Sequence, residues 1–248
     1  MFEQSYFESQ SDEQATIRAW FNETYRTKGF RYLRPPAAYK VYPRLLKLKK
    51  GESALDVACG LGLMLEQSIK VGANAYGIDL SDTAVGMARE YVPQAKIEVA
   101  NSEHLPFEDG SMDAITCLGS LERMINLPRV FAEMQRVTRP DARFCFLVRN
   151  SQTLFWQLFM KRFGMQNKNS HQGAKNLEEW AALFDQHGFV IEKVLPDQWP
   201  MVRWPQAVSL GLVQRNPYRV RPGLRPVRYA DELIFLLRKK RGAETPRG

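Results

Sequence analysis

The sequence predicts an α/β fold, a doubly wound and mostly parallel sheet, on three observations. Short apolar runs alternate with helix-length amphipathic stretches between residues 51 and 150, the pattern of strands joined by crossover helices. The first run, Leu55-Asp56-Val57-Ala58, leads directly into Cys59-Gly60-Leu61-Gly62, a glycine-rich turn that lets the backbone approach a ligand and opens a helix. The next run, Tyr76-Gly77-Ile78-Asp79, ends in a carboxylate 17 residues after Gly62, where it can accept both hydroxyls of a ribose.

Residues 53–58 are the first expected strand, and the glycine turn sends the chain into a helix over 63–71. Residues 73–79 form the second strand, after which the Ser81 hydroxyl can cap a helix running to about Tyr91. Residues 96–100 alternate as a third strand and 112–118 read as a fourth, buried one. The amphipathic stretch 127–138 ends at Arg139-Pro140-Asp141, because proline disfavours helix in the residue before it, and a fifth strand follows over 143–149. Asn176-Leu177-Glu178-Glu179 has the form of a capped helix start, and that helix should stop near Gly188. Strands over 189–195 and 232–237 then complete a seven-stranded sheet.

Residues 17–25 have helical spacing that Gly29 and the Pro35-Pro36 pair interrupt. Residues 1–50 are therefore expected to be a helical cap on a domain spanning 51–248. Two segments exceed what such a sheet needs, 151–175 and 196–229, and the second sets Trp199, Trp204 and Tyr218 among six arginines. Segments a scaffold does not need tend to carry specificity.

The chain has 248 residues, 44% of them hydrophobic, enough for a core of its own. No apolar run approaches the ~18 residues of a spanning helix, and the N-terminus lacks the pattern of a signal peptide. A cytoplasmic protein is expected. Cys59, Cys117 and Cys145 stand singly, with no histidines at ligand spacing, so reduced thiols and no metal site are expected. The net charge of +8 is uneven: 10 basic and 5 acidic residues up to position 50, 9 and 14 over 51–150, and 11 and 3 after 202. Basic flanks suit an anionic small-molecule acceptor, the inner membrane surface or nucleic acid, and charge alone does not choose among them.

LDVACGLG, YGIDLS, the stretch from Ala100 to Glu122 and the unit from Phe131 to Asn150 follow one another in the order and spacing of a known family. On them the chain resembles the class I methyltransferases that use S-adenosylmethionine (SAM), in the group that includes ubiquinone and menaquinone biosynthesis methyltransferases. The resemblance covers residues 50 to 150. It implies a Rossmann-like sheet whose last strand is antiparallel. It also implies that Asp56, Ala58, Gly60 and Gly62 surround the methionine part of SAM and that Asp79 holds the ribose. Leu80 would pack on the adenine, Asn101 and Ser102 would stand at its polar edge, and Leu118 would border the methyl group. Asn101 replaces the family's frequent Asp, and an amide oxygen still accepts. Arg123 stands where the family often has His, which removes a borrowed histidine-base mechanism.

Arg31 or Arg34 could pair with the SAM carboxylate, while Tyr25 and Tyr32 could wall the pocket with Arg123 facing the substrate. Glu122 and His171 are the candidate proton acceptors, the plain alternative for Glu122 being a surface carboxylate beside Arg123. His104 reads as a surface-loop residue, and His187 as a helix-terminal one. Residues 154–163 form an apolar helix candidate that could roof a greasy pocket or lie on a membrane. The expected activity is methyl transfer to a nucleophilic oxygen, nitrogen or sulfur of a small-molecule, glycan or lipid-linked acceptor. The alternatives are an RNA methyltransferase using the arginine-rich segment, against which no RNA-binding module is appended, and a non-catalytic SAM-binding partner protein. Asn216-Pro217-Tyr218 is similar to the tetrad of enzymes that methylate base amino groups but lies far from the position after the fourth strand, where Cys117-Leu118-Gly119-Ser120 stands instead.

Overall fold

The computed structural model describes residues 12–153, 173–197 and 227–240. Seven strands, β1 (Ser53–Val57), β2 (Asn74–Asp79), β3 (Lys96–Val99), β4 (Met112–Leu118), β5 (Thr138–Arg149), β6 (Phe189–Asp197) and β7 (Glu232–Lys239), form one sheet. Their order is β3-β2-β1-β4-β5-β7-β6. Only β7 runs antiparallel, to both β5 and β6. The order reverses between β1 and β4, and in doubly wound sheets the crevice at such a switch point, beyond the carboxyl ends of the strands, is where ligands bind.

The helices are α1 (Asp12–Lys28), α2 (Val41–Leu45), α3 (Leu63–Lys70), α4 (Asp82–Tyr91), α5 (Leu127–Arg136) and α6 (Leu177–Gln186). Alternation along β5 divides the core. Phe144, Phe146 and Val148 face α5 and α6, where Phe131, Trp180 and Phe184 pack with them. Cys145 and Leu147 face the opposite side with Val41, Tyr42 and Met64 of α2 and α3. Helix α2 was not expected, since Pro43 obscures its short apolar pattern. The expected break at Arg139-Pro140-Asp141 is a bulge inside β5 instead. The register passes from Met112↔Thr138 to Ala114↔Arg143, so a short step along β4 is matched by a longer one along β5 and the turn residues loop outward.

Caps set the helix ends. Ala84 N–H donates to Ser81 Oγ at 3.0 Å. Glu179 N–H donates to Asn176 Oδ1 at 2.8 Å while Asn176 N–H donates to the Glu179 carboxylate at 2.7 Å. This reciprocal box satisfies two orphan donors of α6. Asn176→Ala is expected to cost about 1 kcal/mol, read as a lower denaturation midpoint at unchanged m-value.

Helix α1 lies across the carboxyl ends of β2 and β3. Arg18 pairs with Asp82 at 2.9 Å, the Ser81 hydroxyl donates to Asn22 Oδ1 at 2.6 Å, and Gln14 donates to Glu103 at 3.0 Å. Among the described residues no helix is long and apolar enough to cross a membrane. Residues 154–163, His171, Trp199, Trp204, Tyr218 and the arginines of 203–225 lie outside the described residues, and with them the expectations placed there.

Candidate functional site

Two adjoining cavities open at the switch point, with about 680 and 770 Å³ of empty space including their mouths. The first lies under α1, between Ile17, Phe21 and Tyr25 above and Asp79, Leu80, Asn101 and Ser102 below. The second is bounded by Tyr32, Arg34, Tyr39, Asp56, Gly60, Leu118, Arg149 and Glu232. Tyr25, Ala58, Ser120 and Arg123 line both, so the two form one cleft with Tyr25 at its waist.

The floor of the cleft comes from the strand ends. Gly60 N–H donates to Asp79 Oδ2 at 2.8 Å and Ser81 N–H donates to Oδ1 at 2.9 Å. These bonds clamp the carboxylate between the turn after β1 and the start of α4. Burial raises the Asp79 carboxyl above its ordinary range, and the backbone donors of Ser81, Gly60 and Leu80 oppose the rise. One strand over, the Thr116 hydroxyl donates to Asp56 Oδ1 at 2.5 Å. Burial pushes Asp56 up to about 7 despite that bond, and the negative charge of Asp79 adds to the shift. Two buried carboxylates on adjacent strands thus underlie the cleft, an arrangement that favours a cationic ligand.

The turn between them is strained in a useful direction. Ala58 has φ +60° and Gly60 φ +52°; a left-handed residue that carries a Cβ is uncommon and concentrates at functional sites. A Cβ on Gly60 would lie 2.8 Å from the Tyr25 hydroxyl, so the bare backbone there is what leaves the waist of the cleft passable.

Eleven of the expected residues, Asp56, Ala58, Gly60, Asp79, Leu80, Asn101, Ser102, Leu118, Tyr25, Tyr32 and Arg123, meet in this cleft. Three expectations are corrected. Gly62 (φ +81°) caps α3 outside the cleft, and a Cβ there would meet Val92 at 3.2 Å and Ala88 at 3.5 Å. It is glycine for a left-handed turn and close packing on α4, not for a ligand. Arg34 borders the second cavity, but its guanidinium bonds Asp197 at 2.5 Å, Tyr42 Oη at 3.2 Å and Glu232. Asp197 and Glu232 are directly opposed on β6 and β7, where like charges repel. Arg34 therefore serves to neutralise that pair and fasten the N-terminal segment to the sheet. Glu122 is buried and lines neither cavity, and its Oε1 accepts from the N–H of Arg149. It holds the end of β5 and is not poised to take a proton from a substrate.

His104 is exposed beside Arg129, and His187 caps the end of α6 with its ring 5.4 Å from that of Phe131. Sequence reasoning missed Ile17, Phe21, Tyr39, Glu103 and Arg149. For Ile17 and Phe21 a signal existed: with Tyr25 they recur every four residues, one stripe of a helix. Arg149 carried no local signal beyond standing at a strand end.

The Methyltransferase domain family matches residues 55–146. An uncharacterized methyltransferase of Synechocystis sp. is 30% identical over 150 residues, covering 59% of this chain and 70% of the relative. The chain belongs to the methyltransferase domain family. The Ubiquinone biosynthesis O-methyltransferase of Methylococcus capsulatus is 34% identical over 105 residues, and an uncharacterized protein of Methanocaldococcus jannaschii is 35% identical over 111. The match to this methyltransferase domain spans only 44% and 42% of those two relatives. The fold of geranyl diphosphate C-methyltransferase from Streptomyces coelicolor A3(2) superposes with a TM-score of 0.65 at 14% identity, covering 92% of this chain and 99% of that one.

Proposed function

We propose that the chain is a SAM-dependent methyltransferase acting on a small-molecule acceptor, of the quinone type named for its Methylococcus relative. The observation that carries this reading is the pair of buried carboxylates, Asp56 and Asp79, flanking a turn left open by Gly60. The donor set fits SAM: carboxylates for its cations and hydroxyls, an apolar first cavity for its adenine, and a backbone a Cβ would obstruct. Bound, SAM supplies a methyl group already activated on a sulfonium.

The protein's share is then positioning and exclusion of water. Asp79 keeps acceptor capacity beyond its backbone donors and orients the ribose hydroxyls. Asp56, ionised, faces the cationic part. Ile17, Phe21 and Leu80 shield the adenine side, while Leu118 and Ser120 at the end of β4 border the acceptor side. Their place would be to hold a nucleophilic oxygen, nitrogen or sulfur of the acceptor in line with that methyl group. An acceptor proton passes to solvent or a cleft group other than Glu122.

Titration calorimetry with SAM on the full chain, followed by radiolabelled methyl transfer to a panel of hydroquinones and catechols, tests the proposal. Binding with turnover is expected. No SAM binding rejects it; binding without turnover on any acceptor favours a non-catalytic partner role.

A further inference from the structure

Helix α1 brings to the cleft one polar group that the fold itself does not engage. Tyr25 is 5% exposed, its ring stacked on Phe21 with centroids 6.0 Å apart and edge to face with Tyr32 at 5.7 Å. Those contacts fix the direction of the phenol. Its hydroxyl hangs over the bare Gly60 backbone, 2.8 Å from where a Cβ would lie, and among the described residues it has no hydrogen-bond partner. A buried tyrosine usually finds one. Burial, and after it the negative charge of Asp79, holds the phenol well above its ordinary range, so it keeps its proton and can donate as well as accept. Asp79 acts on it more strongly than Arg123 does, which sets the hydroxyl on the Asp79 side of the waist. The same carboxylate takes the Gly60 N–H. Asp79 and Gly60 serve the cofactor on the methyltransferase reading, and the phenol tip shares their neighbourhood. Helix α1 is also tied to it: Asn22, three residues before Tyr25, accepts from the Ser81 hydroxyl, and Ser81 N–H donates to Asp79.

We propose, resting on the methyltransferase reading above, that Tyr25 is a cofactor-binding residue, its hydroxyl carried in by α1 to hydrogen-bond SAM across the waist of the cleft from Asp79. The wall role expected for Tyr25 toward the acceptor then passes to Tyr32 alone. Closure of α1 and occupancy of the cofactor site favour each other, because the phenol gains its partner only when both are in place.

The test uses the full chain, S-adenosylhomocysteine (SAH) as the probe, and Tyr25→Phe, which keeps the ring and its packing and removes only the hydroxyl. Calorimetry is expected to show SAH binding weakened by about fivefold or more, the loss of one enclosed hydrogen bond. Without ligand the variant should melt no lower than the parent, since the group removed has no partner in the fold. Backbone amide exchange supplies the second readout: SAH should slow exchange along α1 in the parent and do so much less in the variant. SAH affinity within about twofold of the parent overturns the proposal, since that is less than one hydrogen bond to the ligand is worth. A ligand-free melting temperature below the parent's also overturns it, because the hydroxyl would then serve the fold. So does an α1 whose exchange in the parent is indifferent to SAH, which no variant is needed to show. Failure of the parent to bind SAH at all rejects instead the reading on which the proposal rests.

Discussion

Asp79→Ala is expected to weaken SAM binding by about 2 kcal/mol or more, roughly thirtyfold, as loss of charged hydrogen bonds to an enclosed ligand does. The geometry makes the effect twofold in origin. The carboxylate offers oxygens to the cleft, and the same group satisfies the N–H groups of Gly60 and Ser81. Removing it frees the turn that shapes the waist of the cleft and leaves those backbone donors without their acceptor. Asp79→Asn separates the contributions: the amide oxygen keeps one acceptor but has no charge, so it should fold better than the alanine variant and still bind SAM poorly. Calorimetry with a melting curve for each variant decides. SAM affinity equal to the parent in a folded Asp79→Ala would sink the ribose assignment.

Asp56→Asn is expected to act in the opposite direction on stability. The folded protein holds this carboxyl at about 7 against an ordinary 3.8. A group whose pKa is raised by folding costs nothing below its unfolded value, then costs progressively more until the pH passes its folded value. The penalty therefore accrues between about pH 4 and pH 7 and is constant above. Each pH unit between those two values is worth about 1.4 kcal/mol, so after allowance for relaxation around the site, neutralising the group should stabilise the ligand-free protein at pH 8 by on the order of 3 kcal/mol. That corresponds to roughly 6–12 °C in Tm for a domain of this size. Asparagine preserves the acceptor for Thr116, so the gain is electrostatic. The advantage over the parent should shrink as the pH falls toward 4. In the parent, SAM affinity should rise from pH 6 to pH 8 as Asp56 ionises to meet the cation, and the variant should lose both the slope and much of the affinity. Parallel Tm-versus-pH curves for the two proteins would refute the assignment. A stabilising substitution that removes binding is the trade expected where charge is stored for a ligand.

What the sequence by itself determined was local. The strand ending in Asp56, the turn at Gly60, the carboxylate Asp79 and the caps at Ser81 and Asn176 are each written within a few neighbouring residues. Turn chemistry, capping and two-residue alternation act over that range. The antiparallel last strand came with the family resemblance, and the bulge at Arg139-Pro140-Asp141 shows how a proline in a helix-ending context looks the same as one displaced from a strand. Only the tertiary structure decided which long side chains meet. Arg34 looked available because its partners lie 163 and 198 residues away, and its neutralising role exists only because strand register sets Asp197 opposite Glu232. Glu122 is withdrawn from chemistry by one backbone amide at the end of β5, and Gly62 by the approach of α4. The physical reason is common to all three. A charged or bare position takes its meaning from whatever burial brings within a few ångströms, and register between distant strands, not local spacing, sets that neighbourhood.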